Sequence, residues 1–414
     1  MGHRRDFLQA TAAAGLGIAL PRLAFAQAPA DTLRVGLMAI KSGPLASGGI
    51  DMERGLNIFL AERGHTMAGR KVQVFFVDAG AKAPEARAKV TELYEAQKIH
   101  VLLGPQSSIE LVALDEVTRA LKLPMISTAA SEDVTQRKAN PWLVRPTASS
   151  AQTSHVLADY CAKTLKYKRM ALVTDDMPFG HETVAGFQRV FEESGGKIVQ
   201  RIYTPLVTPD YSGAVKQLAR VDGAFVAFAG SNGFRFIRQF ADAGLRDKIP
   251  LVGSMTTLDE SVLRNMGDEA LGIHTASWYT ADMSTPANAK FAPAFRKAYN
   301  YDPGFYAAAM YLSAEVLESA LQALGGKAPD PQVLMAALRK SHAQTLRGAV
   351  RFDDYGNAVG DVQIRKVERK DGRLVNAVVK TYPNVSQFWT HNPKQFLANP
   401  VYSKDWPPAR HIES

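Results

Sequence analysis

The chain has 414 residues, of which 46% are hydrophobic and 21% charged, and its formal net charge is +9. A chain longer than about 250 to 300 residues usually divides into domains, so two domains are expected. Lysines and arginines are dispersed rather than clustered, which argues against nucleic-acid binding. The single cysteine, Cys161, excludes an internal disulfide.

The first 26 residues have the features of an export signal. An arginine pair at positions 4 and 5 precedes a short apolar run that ends at Leu20, and Ala-Phe-Ala stands at 24–26. This order is typical of a cleaved twin-arginine signal peptide, which predicts a periplasmic mature chain that begins near Gln27. An uncleaved anchor is the alternative, but the run is shorter than the roughly 20 apolar residues that span a bilayer.

Short apolar segments then alternate with amphipathic segments of helix length. The first series of strand-like segments is LRVGLMA, VQVFFVD, HVLLG and PMIST, and a second series restarts after residue 149 with RMALVTD, KIVQRIY, AFVAFAG and IPLVGS. Alternation of this kind indicates parallel sheets covered by helices. The predicted fold is therefore α/β, with two Rossmann-like lobes.

The pattern changes in the last third of the chain. Residues 288–342 predict three helices separated by Pro303, Gly325 and Pro331, and two strands follow with Asp371-Gly372 between them. An Asp-Gly pair between strands indicates a hairpin turn. The tail after Tyr382 is expected to wrap one lobe.

Helices that follow the strands of the second lobe indicate that the chain returns to the first lobe. We therefore expect lobe 1 to comprise residues 27–146 plus 277–353. Lobe 2 is expected to comprise residues 147–276 plus 354–414, and a hinge of three strands would join the lobes.

Sequence signs of catalysis are missing. The chain contains no GxSxG, HExxH or Walker A motif, and no GxGxxG after a strand. We predict no catalytic residue, no metal site and no cofactor. A DNA-binding repressor of related fold would need a helix-turn-helix headpiece, and the export signal occupies that position.

Two short polar loops follow neighbouring strands of the first series. Ser107 and Ser108 follow VLLG, and the segment STAAS occupies 127–131. Ligands in open α/β sheets bind at the carboxyl ends of strands, and a helix start with free N–H groups can hold an anion. Helix capping alone would explain one of the two serines. The two loops together predict a carboxylate-binding cleft.

Five motifs carry a family resemblance across the chain: KSGPLASGGIDMERGLNIF at 41–59, GPQSS at 104–108, ISTAAS at 126–131, TDDMPFG at 174–180 and PGFYAAAMY at 303–311. In this order they resemble the leucine/isoleucine/valine-binding protein family, the type I periplasmic solute-binding proteins of ABC importers. The resemblance implies ligand capture between two lobes and delivery to an inner-membrane ABC permease with its ATPase. We expect the protein to be a monomer.

The resemblance also implies roles for particular residues. Positions matching Ser108, Ala129 and Ser131 hold the ligand α-carboxylate and part of its ammonium in this family. Those matching Phe179 and Tyr306 are aromatic residues at the ligand, although core packing would explain either one.

One position departs from the family pattern. Amino-acid binders of this family place an acidic residue after the strand that corresponds to IPLVGS, and here that position is Met255. A buried ammonium without a carboxylate partner is unfavourable. Ser231 stands where a tyrosine is common, which leaves room for an apolar pocket. The predicted ligand is therefore a carboxylate without an amine, such as an aromatic or branched aliphatic acid, unless Asp259 or Glu260 reaches the site.

Two other functions stay open at this point. The chain could be a branched-chain amino-acid-binding protein of the same family, or a periplasmic sensory subunit that reports its ligand to a membrane receptor. A hydrolase on the same scaffold would require a nucleophile and base pair, and none can be named from the sequence.

Overall fold

The computed structural model describes residues 32–326 and 330–413. The predicted twin-arginine signal peptide, residues 1–26, lies outside these ranges. Within them, no helix is both long and apolar enough to cross a bilayer.

The first half of the chain forms a six-stranded sheet. Its strands are β1 (Thr32–Met38), β2 (Thr66–Met67), β3 (Arg70–Val77), β4 (Val101–Leu103), β5 (Met125–Ile126) and β6 (Leu143–Val144), and its helices are α1 (Ala46–Ala61), α2 (Ala83–Gln97) and α3 (Ser108–Leu121). The strand order is β2-β3-β1-β4-β5-β6, and every pair except β2 with β3 is parallel. This is the parallel sheet that the first series of apolar segments predicts.

A second sheet repeats this organisation. Its first elements are α4 (Ser150–Lys163), β7 (Arg169–Asp175), α5 (Pro178–Glu193), β8 (Lys197–Thr204), α6 (Ser212–Lys216), β9 (Gly223–Ala227), α7 (Ser231–Asp242), β10 (Leu251–Gly253), α8 (Glu260–Leu263) and β11 (His274–Ser277). Strands β8, β7, β9, β10 and β11 lie side by side in that order, and all are parallel.

Three helices follow the second series, as the sequence predicts. They are α9 (Asn288–Tyr299), α10 (Phe305–Ala323) and α11 (Pro331–Arg339). Helix α10 packs along α1 so closely that a Cβ atom on Gly55 would lie 2.0 Å from the carbonyl oxygen of Ala307. Both helices share one hydrophobic core with β1 of the first sheet. These helices therefore pack on the first sheet, while the exact lobe boundaries stay a prediction.

The remaining elements are β12 (Gln344–Thr345), β13 (Gly348–Ala349), β14 (Arg351–Phe352), β15 (Ala358–Lys370), β16 (Arg373–Val385) and α12 (Pro393–Leu397). Strand β15 adds to the second sheet antiparallel to β11 and pairs with β16. Asp371 and Gly372 join β15 to β16 with φ angles of 50° and 77°. Two successive positive φ angles define the type I′ turn, so the predicted hairpin is confirmed.

The tail after Tyr382 contacts both halves of the molecule, so the expectation that it wraps one lobe is incomplete. Phe388, Phe396 and Tyr402 form a small core against α4 and α5. The guanidinium of Arg137, in the loop after β5 of the first sheet, donates hydrogen bonds to backbone carbonyls of the tail, including that of Asn399 at 2.6 Å. Dispersed, non-local contacts of this kind have no periodic sequence signal.

Candidate ligand-binding site

A cavity lies between the carboxyl ends of the two sheets, where ligands of open α/β folds bind. The cavity and its mouth hold about 380 Å³. The segments after strands β1, β4 and β5 of the first sheet, together with the start of α10, contribute Leu45, Gln106, Ser107, Ser108, Thr128, Ala129, Ala130, Phe305 and Tyr306. The loops after β7, β9 and β10 and the first turn of α5 contribute Met177, Phe179, Ala229, Met255 and Thr256. The predicted cleft is therefore present, and six of the eight predicted site residues line it.

The two serines after β4 have different tasks. The Ser107 hydroxyl accepts a hydrogen bond from the Ile109 N–H at 3.2 Å, and the Glu110 carboxylate accepts one from the Ser107 N–H at 3.3 Å. This capping box stabilises the start of α3. Ser108 is 3% exposed, and its hydroxyl is buried without a hydrogen-bond partner. Ser108 therefore offers a free donor at a helix N-terminus, where negative charge is favoured.

Hydrogen bonds fix the loops on this side of the cavity. The Thr128 hydroxyl donates to the Pro105 carbonyl at 2.7 Å, which ties the loop after β5 to the loop after β4. The Gln106 side chain accepts from the Ile40 N–H at 2.9 Å and donates to the Leu45 carbonyl at 2.8 Å. The polar wall is therefore held in place before any ligand arrives, which lowers the ordering cost of binding.

The opposite wall is mostly apolar and is positioned by a buried carboxyl. Asp175, the last residue of β7, accepts hydrogen bonds from the Ala229 N–H at 3.0 Å and from the Asn232 amide at 2.7 Å. Burial raises the pKa of Asp175 to about 7. Met255 is 1% exposed in this wall, and the Thr256 hydroxyl beside it donates to the Phe228 carbonyl at 2.9 Å.

Among the described residues that line this cavity, none is an aspartate, glutamate, lysine, arginine or histidine. Asp259 and Glu260 lie outside it. The Asp259 carboxylate accepts from the Ser261 N–H at 3.0 Å and from the Phe305 N–H at 2.5 Å. Its oxygens are thus occupied by backbone groups. The apolar Met255 lines the cavity, and its equivalence with the acidic residue of amino-acid binders stays a prediction.

Two predicted site residues do not line the cavity. The Ser131 hydroxyl donates to the Glu182 carboxyl at 2.8 Å, and the Arg145 guanidinium donates to the backbone carbonyls of Ala129 and Ser131. Ser231 is the first residue of α7, so it belongs to the helix rather than to the loop after β9. The loop residue Ala229 lines the cavity in its place.

Sequence reasoning missed eight lining residues, and most of them lie within or beside the motifs that it identified. They are Leu45, Gln106, Thr128, Ala130, Met177, Ala229, Thr256 and Phe305. Most of these residues could have been found from their position in short loops at strand ends. Phe305 could have been found because it is adjacent to Tyr306. Which residue of such a loop faces the cleft depends on where the next helix begins, and the sequence does not define that start to within a residue.

Behind the Ala129–Ala130 loop lies a buried pair of carboxyls, Glu132 and Glu182. The Ser131 and Ser150 hydroxyls donate to Glu182 at 2.8 Å and 2.7 Å, while Glu132 accepts from the Ala151 N–H at 2.7 Å. Burial first, and then the charge of Glu132, raise the pKa of Glu182 to about 8 from its ordinary value near 4.5. Glu182 therefore carries a proton at neutral pH.

This proton predicts a pH-dependent stability. The folded protein binds it more tightly than the unfolded chain does, so the contribution of Glu182 is complete below about pH 4.5 and is lost as the pH rises through about 8. We expect the melting temperature to fall by a few degrees from about pH 6 to about pH 9. Glu182→Gln, which mimics the neutral acid, should flatten this fall, whereas Glu92→Gln on the exposed side of α2 should not. Equal slopes for both variants in a thermal melt series would contradict the assignment.

With the geometry in place, comparison with known proteins identifies the family. The family model for periplasmic binding proteins matches residues 32–373. The chain belongs to the periplasmic binding protein family. The resemblance inferred from the five motifs is therefore confirmed.

Relatives and solved structures agree with this family. The Leu/Ile/Val-binding protein homolog 6 of Brucella abortus is 28% identical and covers 88% of this chain and 95% of its own. A solute-binding protein of an ABC transporter from Rhodopseudomonas palustris BisB5, in complex with 3,4-dihydroxybenzoic acid, is 31% identical, with a TM-score of 0.82 over 86% of this chain and 99% of that one. An R. palustris solute-binding protein in complex with benzoate is 26% identical, with a TM-score of 0.80 over 86% and 97%.

These comparisons confirm the predicted fold class, two α/β lobes of the type I periplasmic binding protein. They also make this chain a periplasmic solute-binding protein of the kind that serves ABC transporters. Among the described residues, no group of three or more histidine, cysteine, aspartate or glutamate side chains could hold a metal ion.

Proposed function

We propose that this binding protein captures an aromatic carboxylate without an α-amine and delivers it to a membrane permease, with no chemistry of its own. The observation that carries the proposal is the composition of the cavity. A buried hydroxyl without a partner, on Ser108, shares this cavity with aromatic and apolar walls, and the lining offers no carboxylate to an ammonium.

The first support is the fit between the polar wall and an anion. The ligand carboxylate would lie at the start of α3, where the Ser108 hydroxyl can donate to it. The first N–H groups of a helix have no partner within the helix, and the helix dipole adds positive potential there. Hydrogen bonds to a charged group contribute about 1.5–3 kcal/mol, which makes this contact a major source of affinity.

The second support is the shape and chemistry of the other walls. Phe179, Phe305 and Tyr306 line the cavity together with Met177 and Met255. Aromatic rings pack edge to face or offset against one another, and methionine sulfur packs favourably against rings. These walls suit a benzoic acid ring better than a compact aliphatic side chain.

The third support comes from the structural neighbours. Two R. palustris solute-binding proteins, at 31% and 26% identity, were solved with 3,4-dihydroxybenzoic acid and with benzoate. We propose an aromatic carboxylate for this chain as well, because its cavity combines aromatic and apolar walls with a free hydroxyl on Ser108.

A branched-chain amino acid is the second candidate ligand, since the Brucella relative is named a Leu/Ile/Val-binding protein homolog. An amino acid would place an ammonium in a lining without Asp or Glu. Desolvating that charge without a partner costs several kcal/mol. The aromatic acid is therefore the favoured ligand.

The proposal also includes export and assembly. The chain would leave the cytoplasm through its twin-arginine signal peptide, residues 1–26, and work as a monomer. Lobe 1 (27–146 plus 277–353) and lobe 2 (147–276 plus 354–414) would close about the three-strand hinge. The closed form would dock on an inner-membrane permease that is driven by an ATPase.

A thermal-shift screen tests the ligand class. The protein is stripped of ligand by unfolding and refolding, then mixed with benzoate, hydroxybenzoates, branched aliphatic acids, leucine and valine. A ligand at 100 times its dissociation constant should stabilise the fold by about 2.7 kcal/mol. We expect stabilisation by benzoic acids and none by leucine or valine. Stabilisation by leucine or valine alone would overturn the proposal.

A further inference from the structure

The contact between Asp259 and Phe305 joins the two halves of the molecule beside the cavity. Asp259 lies in the loop after β10 of the second sheet, while Phe305 opens α10, which packs on α1 and the first sheet. The Asp259 carboxylate accepts a hydrogen bond from the Phe305 N–H at 2.5 Å, and both residues are buried. Phe305 and its neighbour Tyr306 line the cavity.

Asp259 is itself fixed to the second sheet. Its other oxygen accepts from the Ser261 N–H at 3.0 Å and caps α8. The Asn376 amide, on β16, donates to the Leu258 carbonyl at 3.0 Å and to the Glu260 carboxyl at 2.8 Å. The residues before and after Asp259 are therefore both hydrogen-bonded within the second half of the molecule. The bond from Asp259 to Phe305 then links this half to α10.

Opposing electrostatic effects act on the Asp259 carboxyl. Burial raises the pKa of both Asp259 and Glu260, and that of Glu260 reaches about 8. Asp259 accepts two backbone N–H bonds, which favour its ionised form and oppose the effect of burial. A carboxylate at the N-terminus of the 19-residue helix α10 also interacts favourably with the helix dipole.

Close packing at Gly304 leaves no room for a side chain. A Cβ atom on Gly304 would lie 2.3 Å from the Asp259 carboxylate and 2.6 Å from that of Glu260. The approach of the two halves therefore depends on a glycine immediately before α10.

We propose that Asp259 is a positioning residue for ligand capture: it latches the second lobe onto the N-terminus of α10, which closes the cleft and sets the Phe305 and Tyr306 walls. This inference rests on the proposed capture mechanism. In this latch the Asp259 carboxylate pairs with the backbone N–H of Phe305 and not with an ammonium of the ligand. This pairing agrees with a ligand that has no amine.

Distances between spin labels measure the latch directly. Labels at Lys82→Cys and Val207→Cys stand on exposed loops after β3 and β8, and the native Cys161 is fully buried. We expect Asp259→Ala to shift the distance distribution towards longer, open distances, with or without 3,4-dihydroxybenzoate. The dissociation rate of that acid should rise at least about 10-fold, while its association rate changes little. Asp259→Asn, which keeps an acceptor oxygen, should fall between Asp259→Ala and the parent protein.

Two further variants make the test decisive. Gly304→Ala should displace the Asp259 carboxylate and so give the same open distances as Asp259→Ala. If Asp259→Ala does not fold, Gly304→Ala alone tests the latch. Asp330→Ala removes another N-cap aspartate, which accepts from the Gln332 N–H at 2.8 Å within one helix, and should behave like the parent protein. Parent-like distances and dissociation rates in Asp259→Ala and Gly304→Ala would overturn the latch. If the parent protein binds no benzoic acid, the proposed ligand fails, and the ligand-free distances still decide the latch.

Discussion

Replacing Ser108 by alanine is expected to weaken the binding of 3,4-dihydroxybenzoate by about 10- to 100-fold, because the variant loses a hydrogen bond to a charged carboxylate. The hydroxyl has no partner within the protein, so its removal leaves no other buried group unsatisfied. Isothermal titration calorimetry measures the affinity, and urea unfolding should show a stability close to that of the parent protein.

Ser107→Ala is the matched control for this prediction. The Ser107 hydroxyl caps α3, so its removal should cost about 1 kcal/mol of stability and change affinity much less than Ser108→Ala does. The two neighbouring serines would then separate a binding role from a structural one. Parent-like affinity in Ser108→Ala, or a larger loss in Ser107→Ala, would contradict the assignment of the anion site.

The second large effect is expected at Met255. Met255→Glu places a carboxylate in a wall of the cavity that contains no basic residue, so it should repel a bound acid and lower its affinity at least about 100-fold. Met255→Gln has a similar length without the charge and should lose much less. Met255→Leu, a volume-conserving change, should bind almost as the parent protein does.

The same variant should change which ligands are accepted. An acidic side chain at position 255 supplies the partner that an ammonium lacks in the parent lining, so binding of L-phenylalanine should become measurable in Met255→Glu. Calorimetry with both ligands on all three variants provides the test. Undiminished acid binding in Met255→Glu would show that this side chain does not face the ligand.

Much of the fold could be predicted because its determinants are local and periodic. The alternation of apolar segments indicated both parallel sheets, and Asp371-Gly372 indicated the turn between β15 and β16. Helix α6 is the exception. The segment between KIVQRIY and AFVAFAG is one of the expected helices, but only Ser212–Lys216 within it is helical.

The site could be predicted in part, for a similar reason. The rule that ligands bind at strand ends predicted the loops of Ser108 and Ala129, and the family resemblance pointed to Met255; all three residues line one cavity. Ser131, from the second of these loops, and Ser231, from the resemblance, do not line the cavity, because their placement depends on a long-range contact with Glu182 and on the start of α7. Contacts between distant segments are not encoded in local spacing.

The most direct test of the central claim compares ligands that differ only by the amine. Calorimetry on refolded, ligand-free protein would pair 3-phenylpropionate with L-phenylalanine and 4-methylpentanoate with L-leucine. The cavity lining has no Asp or Glu, so each amine-free acid should bind at least about 100-fold more tightly than its amino acid. Equal or tighter binding of the amino acids would show that the site neutralises an ammonium, and would contradict an amine-free carboxylate as the ligand.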